Sequence, residues 1–346
     1  MFKKSEGQMT FAELSEQWLR SVSHGIKEST LAHYQYTLNR YLLPVFGQFH
    51  LRTLNTQKLE MGILQVISPE DDSHLPLGAS SSRECLTILR RICKYAAHLR
   101  LMRSVEIIVK LPQIEQNHTK PLSAKEQAAL QTFVLQNPTA RKVGLLLQMQ
   151  MGLRIGEVCG LQWGDFDFKG STLTIRRTVT RIYCGPQKTK LVVQTPKTKS
   201  SGREIPIPRE LVALLRTLRG RATPCTWFLS GSEAKPVEPR CYRKSIRDYL
   251  RRAAVRQVHP HALRHTFATT CLQTGCDIKT LSEILGHADP NITLKRYVHS
   301  DMKRKRSELE RIFSSVWKKS RKRSELERVF SSVWRKRPAS VLGNTL

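Results

Sequence analysis

Apolar residues recur through the first hundred positions at the three-and-four spacing of helices that bury one face. Phe11, Leu14, Trp18 and Val22 form one stripe behind a Thr10–Glu13 capping box. Leu31, Tyr34, Leu38 and Leu42 form a second, which Pro44 is expected to stop. Met61, Leu64 and Ile67 mark a third. The Ser-, Gly- and Pro-rich stretch 68–82 reads as a loop. Leu86, Leu89, Cys93 and Ala97 then mark a fourth helix, dotted with Arg83, Arg90, Arg91, Lys94 and Arg100. This pattern predicts a small basic helical bundle.

The polar stretch QIEQNHTKPL at 113–122 interrupts the periodicity and reads as an interdomain linker. Ser123 and Glu126 cap a new helix, and helical spacing persists to about Cys159. Between Ser171 and Ile207 the period shortens to two, in STLTIRRTV, LVVQT and REIPIP, which predicts strands. Helices resume at about Pro208, with WFL at 227–229 expected to be extended. The expected fold class is mainly α with a small β-sheet. A helical domain would cover 8–112, a linker 113–122, a mixed α/β domain 123–302 and a basic tail 303–346.

The tail repeats itself. RKRSELERIFSSVWKK at 304–319 returns as RKRSELERVFSSVWRK at 321–336, an offset of 17 residues. Leu309, Ile312, Phe313 and Val316 make one apolar stripe, and Leu326, Val329, Phe330 and Val333 the other. At ~100° per residue that offset turns the second stripe by roughly 100° from the first, so one straight helix cannot bury both on one face.

Charge narrows the partner. Lys and Arg number 58 against 28 acids, a formal net charge of +30. Such a field attracts polyanions, above all nucleic acid. No apolar run approaches the ~20 residues that span a bilayer, so no membrane partner is expected. The start MFKKSEGQMTF lacks the apolar core of a signal peptide, which points to the cytoplasm. None of the eight cysteines forms a C-x-x-C pair, and they read as reduced, mostly buried small hydrophobes.

Four strings carry candidate chemistry. In GLRIGE, Gly152 and Gly156 permit tight backbone around Arg154, and Glu157 lies one turn on, where it would orient the guanidinium. Taken alone, such an Arg–Glu pair is usually a solvated surface contact. In HPHALRH, His261 and Arg264 share a helix face and could hold one phosphate from two sides. His259, His261 and His265 also raise a metal reading, but no Cys or carboxylate stands at zinc spacing, so no metal is expected. In LGHADPNITLKRYVHS, Gly286 ends a helix begun near Asp277, and His287 follows it. Pro290 then starts a short helix carrying Tyr297. By itself, that tyrosine would be an ordinary half-buried aromatic. TPKTKSSGREIPI places Lys197 on a β-turn, normally a solubilising position.

In this order and spacing, G-L-R-x-G-E, H-x-L-R-H, L-G-H and R-Y-V-H closely resemble the tyrosine recombinases of the phage-integrase and conjugative-transposon integrase family, over roughly residues 8–317. The resemblance implies a helical core-binding domain and a mixed α/β catalytic domain that clamp double-stranded DNA. It implies Arg154, Lys197, His261, Arg264 and His287 as the activating set, Glu157 as support for Arg154, and Tyr297 as nucleophile. It implies strand exchange through a 3′-phosphotyrosyl intermediate, without ATP, metal or other cofactor. A homotetramer on paired DNA sites is expected, with an accessory excision or DNA-bending protein as further partner. Two departures stand out: only about eight residues precede the core-binding domain, so an arm-site-binding domain is not expected, and the tail is duplicated.

A tyrosine hydroxyl has a reference pKa near 10, so it needs a proton acceptor and a polarised phosphate. Under the resemblance, Arg154 and Arg264 neutralise the non-bridging oxygens as charge builds. His261 takes the tyrosine proton or shares in phosphate binding, and Lys197 protonates the departing 5′-hydroxyl. Three rival readings have different signatures. A non-catalytic DNA-binding module gives salt-sensitive binding and no adduct. A type IB topoisomerase-like enzyme relaxes DNA as a monomer. A metal-dependent transposase needs three clustered carboxylates.

Overall fold

The computed structural model describes residues 9–69, 75–113, 120–185, 188–195, 202–287, 289–291, 293, 306 and 309–310. The chain divides after Pro290 into a large unit and a second one, Asn291–Leu346. In the second unit only Asn291, Thr293, Arg306, Leu309 and Glu310 are described. Both tail repeats therefore lie largely outside the described residues.

Within the large unit, two separate apolar cores form. The first gathers residues from Phe11 to Ile107. Helix α1 (Phe11–Ser23) starts at the expected capping box: Thr10 Oγ1 accepts from Glu13 N–H while the Glu13 carboxylate accepts from Thr10 N–H. Such a cap stabilises a helix by about 1 kcal/mol. Helix α2 (Glu28–Thr37) does not stop before Pro44. It widens into a π-helical turn, Leu38–Leu42, and runs on as α3 (Leu43–Phe46). Leu43 N–H donates five residues back to Leu38 O, so the ladder has already shifted where the proline, which has no N–H, enters.

Helix α4 (Thr56–Ile67) buries Leu59, Ile63 and Val66, while Met61 and Leu64, expected inside, are 64% and 50% exposed. This helix carries apolar residues on nearly every face, so spacing alone does not choose the buried one. Contact chooses it: a Cβ at Gly62 would lie 2.4 Å from the Phe46 ring. Helix α5 (Ala79–His98) starts inside the stretch read as a loop and buries Leu86, Leu89 and Cys93 as expected.

The second core extends from Leu122 to Leu263. Helix α6 (Ala124–Gln136) begins at the Ser123–Glu126 capping box. Helix α7 (Ala140–Met151) is buried on almost all sides and packs against α11 (Pro260–Gln273). Each fully buried Leu along it contributes about 1.5–3 kcal/mol. The short helix α8 (Ile155–Cys159) follows.

Strand β1 (Phe166–Asp167) lies just outside the predicted β region. It pairs with β2 (Thr172–Ile175), which pairs on its other side with β5 (Arg203–Pro206), all antiparallel. Strands β3 (Thr178–Gly185) and β4 (Lys188–Gln194) form a separate two-stranded sheet. Residues 227–229 are not a strand: Trp227 makes a single bridge to Gln162. Helices α9 (Arg209–Arg219), α10 (Pro239–Arg252) and α12 (Ile278–Leu285) complete the lobe.

The β3–β4 hairpin reaches back to the bundle. Lys27 Nζ donates to Thr195 O at 2.8 Å, Lys190 Nζ lies 2.5 Å from Glu28 Oε1, and the Tyr36 and Tyr183 rings meet edge to face. These contacts set α2 opposite the second lobe and leave a cleft between them. Only three cysteines, Cys85, Cys93 and Cys159, are buried; Cys184, Cys225 and Cys241 are exposed, correcting the expectation that most would be internal.

Candidate active site

The cleft has a volume of about 1010 Å³. Arg154, His261 and Arg264 line one wall, and Thr30, His33 and Tyr34 of α2 line the other. Local backbone geometry delivers the first wall.

Helix α7 ends at Gly152, in the left-handed conformation at φ 68°. A side chain there would be strained, and its Cβ would lie 2.5 Å from the Phe267 ring and 2.8 Å from Leu285 Cδ2. The reversal buries Leu153 and makes Arg154 the residue that opens α8. Glu157, one turn later, accepts from Arg154 N–H at 2.8 Å and from Arg154 Nη1 at 2.7 Å. Gly156 allows α8 to press against β3, since a Cβ there would lie 2.6 Å from Thr178 Oγ1.

This is not the solvated pair that spacing alone suggests. The Glu157 side chain is 4% exposed, against 38% for Arg154. A second arginine reaches it: Arg203 Nη1 and Nη2 each donate to a Glu157 oxygen at 3.1 Å, and Arg203 Nε donates to Ile284 O at 2.6 Å. Burial pushes the Glu157 carboxyl up. The charge and hydrogen bonds of Arg203, then those of Arg154, outweigh burial and hold it at about 2. The carboxylate is thus charged and locks the arginine that faces the cleft.

None of the four sequence strings singles out Arg203 in this role, although a signal is present. Along β5 the inward positions alternate as Arg203 and Ile205, followed by Ile207, with Glu204 and Pro206 outside. An arginine in the inward phase needs a buried partner.

Arg264 is 1% exposed on α11. It donates from Nη1 to Gly152 O at 2.8 Å and from Nη2 to Leu285 O at 2.7 Å, tying the end of α7 to the end of α12. Its Nη2 also lies 3.0 Å from His287 Nε2. A guanidinium has donors only, so His287 Nε2 accepts and the neutral ring carries its proton on Nδ1. Gly286 places that histidine. It caps α12 in the left-handed conformation at φ 64°, and His287 N–H closes the cap on Ser282 O. Arg154 Nη2 approaches Gly286 O at 3.5 Å, so both arginines converge on the same turn.

His261 stands in the first turn of α11, half-buried, with its ring edge to face against His265 at 5.1 Å. His259 caps the helix, and burial, then the nearby charge of Arg243, lowers its pKa. No group of three residues able to hold a metal exists among the described residues. The structure therefore gathers Arg154, Glu157, His261, Arg264 and His287 around one cleft. Lys197 and Tyr297 lie outside the described residues. Among the described residues no helix is long and apolar enough to cross a membrane.

The model of the phage integrase family matches residues 118–304, and that of the phage integrase N-terminal SAM-like domain matches residues 10–61. A XerC-like tyrosine recombinase from Caldanaerobacter subterraneus subsp. tengcongensis is 33% identical over 187 residues, covering 49% of this chain and 48% of that protein. Tyrosine recombinase XerC from Myxococcus xanthus is 31% identical over 234 residues, 65% of this chain and 72% of that one. The chain thus spans about half the length of the first of these relatives. In fold it is similar to the Tn1549 transposon integrase, solved with a circular intermediate DNA, at a TM-score of 0.69 and 20% identity, covering 88% of this chain and all of that one. With the first family model running over more than half of its residues, the chain belongs to the phage integrase family.

Proposed function

We propose that this protein is a site-specific DNA recombinase that cleaves and rejoins strands, integrating or excising a mobile element. The observation that carries this reading is the convergence of Arg154, His261 and Arg264 on one cleft, with His287 held against Arg264. Two guanidiniums fixed before substrate arrives are suited to a phosphate whose non-bridging oxygens gain charge in the transition state.

In this reaction Tyr297 Oη attacks the scissile phosphorus. Its proton passes to His261 or, if His261 holds a phosphate oxygen, to another acceptor. The bond to O5′ breaks, and Lys197 supplies the proton that the departing 5′-hydroxyl needs. The 3′-phosphotyrosyl bond retains the energy of the phosphodiester, so attack by a 5′-hydroxyl of another strand reseals DNA without a nucleotide cofactor. Exchange at paired sites needs four cleavages, hence four protomers on two duplexes. The net charge of +30 supports duplex DNA as the partner. We assign core binding to 8–112, catalysis to 123–302 and the basic tail to 303–346, with 113–122 as linker; the two separate apolar cores support this division.

The test is a suicide-substrate assay. Duplexes of candidate attachment-site sequence, nicked beside the cleavage position, are mixed with the full chain and resolved on a denaturing gel. A covalent protein–DNA band on specific sequences is expected. Binding with no adduct would leave a DNA-binding module, and relaxation of plasmid without strand exchange would indicate a topoisomerase-like enzyme.

A further inference from the structure

Helix α11 carries both His261 and Arg264, yet the two are held differently. Arg264, in the second turn, is tied to Gly152 O and Leu285 O. His261 stands in the first turn, so its place depends on how that turn is capped. Pro260 opens the helix and has no N–H, which makes the His261 N–H the first donor that needs a partner. That partner is His259. Its Nδ1 accepts from His261 N–H at 3.3 Å, and its carbonyl accepts from Ala262 N–H at 2.7 Å. The His261 ring in turn meets His265, one turn on, edge to face. Unwinding the first turn would separate those two rings and leave the anchors of Arg264 in place.

Histidine is an unusual residue for this role. Helices α1, α4, α6, α7 and α12 are capped by the side chains of Thr10, Asn55, Ser123, Thr139 and Asp277. None of those side chains changes charge near neutral pH, whereas an imidazole does. A neutral ring that accepts at Nδ1 carries its proton on Nε2. A second proton, on Nδ1, turns the acceptor into a donor facing another donor. It also sets a positive charge at the positive end of the helix dipole. The surroundings keep that proton off. Partial burial, then the charge of Arg243, lowers the His259 pKa below its ordinary 6.5. Arg154, Arg240 and Arg264 line the same cleft, and the cleft carboxylates Glu84 and Glu238 are engaged by His33 and Arg181.

We propose that His259 is a positioning residue: as the neutral cap of α11 it holds His261 towards the reacting phosphate, and on gaining a proton it releases the first turn. This rests on the recombinase reading above and adds a residue that acts only through another. The sign is fixed by the lowered pKa: the positioning is complete above pH 6.5 and is lost as pH falls through the folded value.

The test compares His259→Ala, which removes the cap, with His259→Ser, which supplies a cap that does not titrate. The full chains are saturated with the nicked duplex on which the wild type forms its adduct, and single-turnover cleavage is followed across pH. At about pH 8 the alanine variant should be slower than wild type by roughly two- to 30-fold, and serine should recover most of that loss. As pH falls below 6.5, the ratio of wild-type to alanine rates should close towards one, while the ratio of serine to alanine stays constant. Ratios cancel any titration of His261 itself. In a His261→Ala background, His259→Ala should cost little more. NMR of the free wild-type chain with 15N-labelled histidine should show His259 Nδ1 unprotonated and Nε2 protonated near pH 8, a reading that needs neither a variant nor cleavage.

A serine variant as slow as alanine would overturn the proposal, because the imidazole itself would then be required. A wild-type ratio that does not move with pH, or a proton on Nδ1 near pH 8, would overturn it too. Weaker DNA binding with an unchanged rate in His259→Ala would overturn it in favour of a phosphate contact. A wild type that binds DNA and forms no adduct at any pH would instead sink the recombinase reading, and the NMR result would still decide the cap.

Discussion

Arg203 and Glu157 form a buried, two-pronged ion pair, each guanidinium nitrogen 3.1 Å from its own carboxylate oxygen, with side chains 6% and 4% exposed. Glu157 uses the same two oxygens to hold Arg154. Glu157 thus holds the arginine at the cleft directly and is itself held in place by Arg203.

Glu157→Gln removes the buried carboxylate charge that Arg154 and Arg203 share. Loss of one partner of a buried pair costs about 3–5 kcal/mol, and a decrease of that size is expected in urea unfolding at neutral pH. The pH dependence has a definite sign. The folded carboxyl lies at about 2, below its ordinary 4.5, so its stabilisation is complete above 4.5 and lost as pH falls towards 2. The gap between wild type and variant should close across that window. A constant gap would show that the charge of Glu157 is not what stabilises the site.

Gly152→Ala introduces a strained left-handed residue and a Cβ 2.5 Å from the Phe267 ring. A loss of about 1–3 kcal/mol is expected in thermal unfolding. Because Gly152 O is also the acceptor for Arg264 Nη1, cleavage should fall with it. Full activity in a destabilised variant would detach this turn from the chemistry.

Arg264→Lys keeps one positive charge but cannot serve Gly152 O and Leu285 O while facing His287. Single-turnover cleavage should drop on the order of a hundredfold or more, and DNA affinity far less. The reverse pattern, weak binding with an unchanged rate, would make Arg264 a positioning contact only.

Lys197→Ala should slow cleavage of ordinary DNA and recover on a 5′-bridging phosphorothiolate, whose sulfur leaves without a proton. Failure to recover would move the general acid to another residue, with Lys199 the first candidate.

Much of this was legible in the sequence where local rules decide. The capping boxes at Thr10 and Ser123 appear as expected, and Gly286 ends α12 as its position implies. What escaped depends on contacts distant in sequence. Nothing near Met61 or Leu64 says that Phe46 will occupy the groove over Gly62 and turn α4 by its face. Nothing near Pro44 shows that a π-turn will absorb it. In the site, the strings named Arg154, Glu157, His261, Arg264 and His287, but not that Arg203, 46 residues after Glu157, completes the pair. Strand phase held that information, since Arg203 shares the inward side of β5 with Ile205.

The measurement that bears most directly on the proposed function is the identity of the residue joined to DNA. Wild-type protein trapped on a suicide substrate is digested with nuclease and protease, and the nucleotide-bearing peptide is sequenced by mass spectrometry. The expected adduct is on Tyr297, and Tyr297→Phe should bind the same DNA and form none. An adduct on any other residue, or a persistent covalent band in Tyr297→Phe, would contradict it.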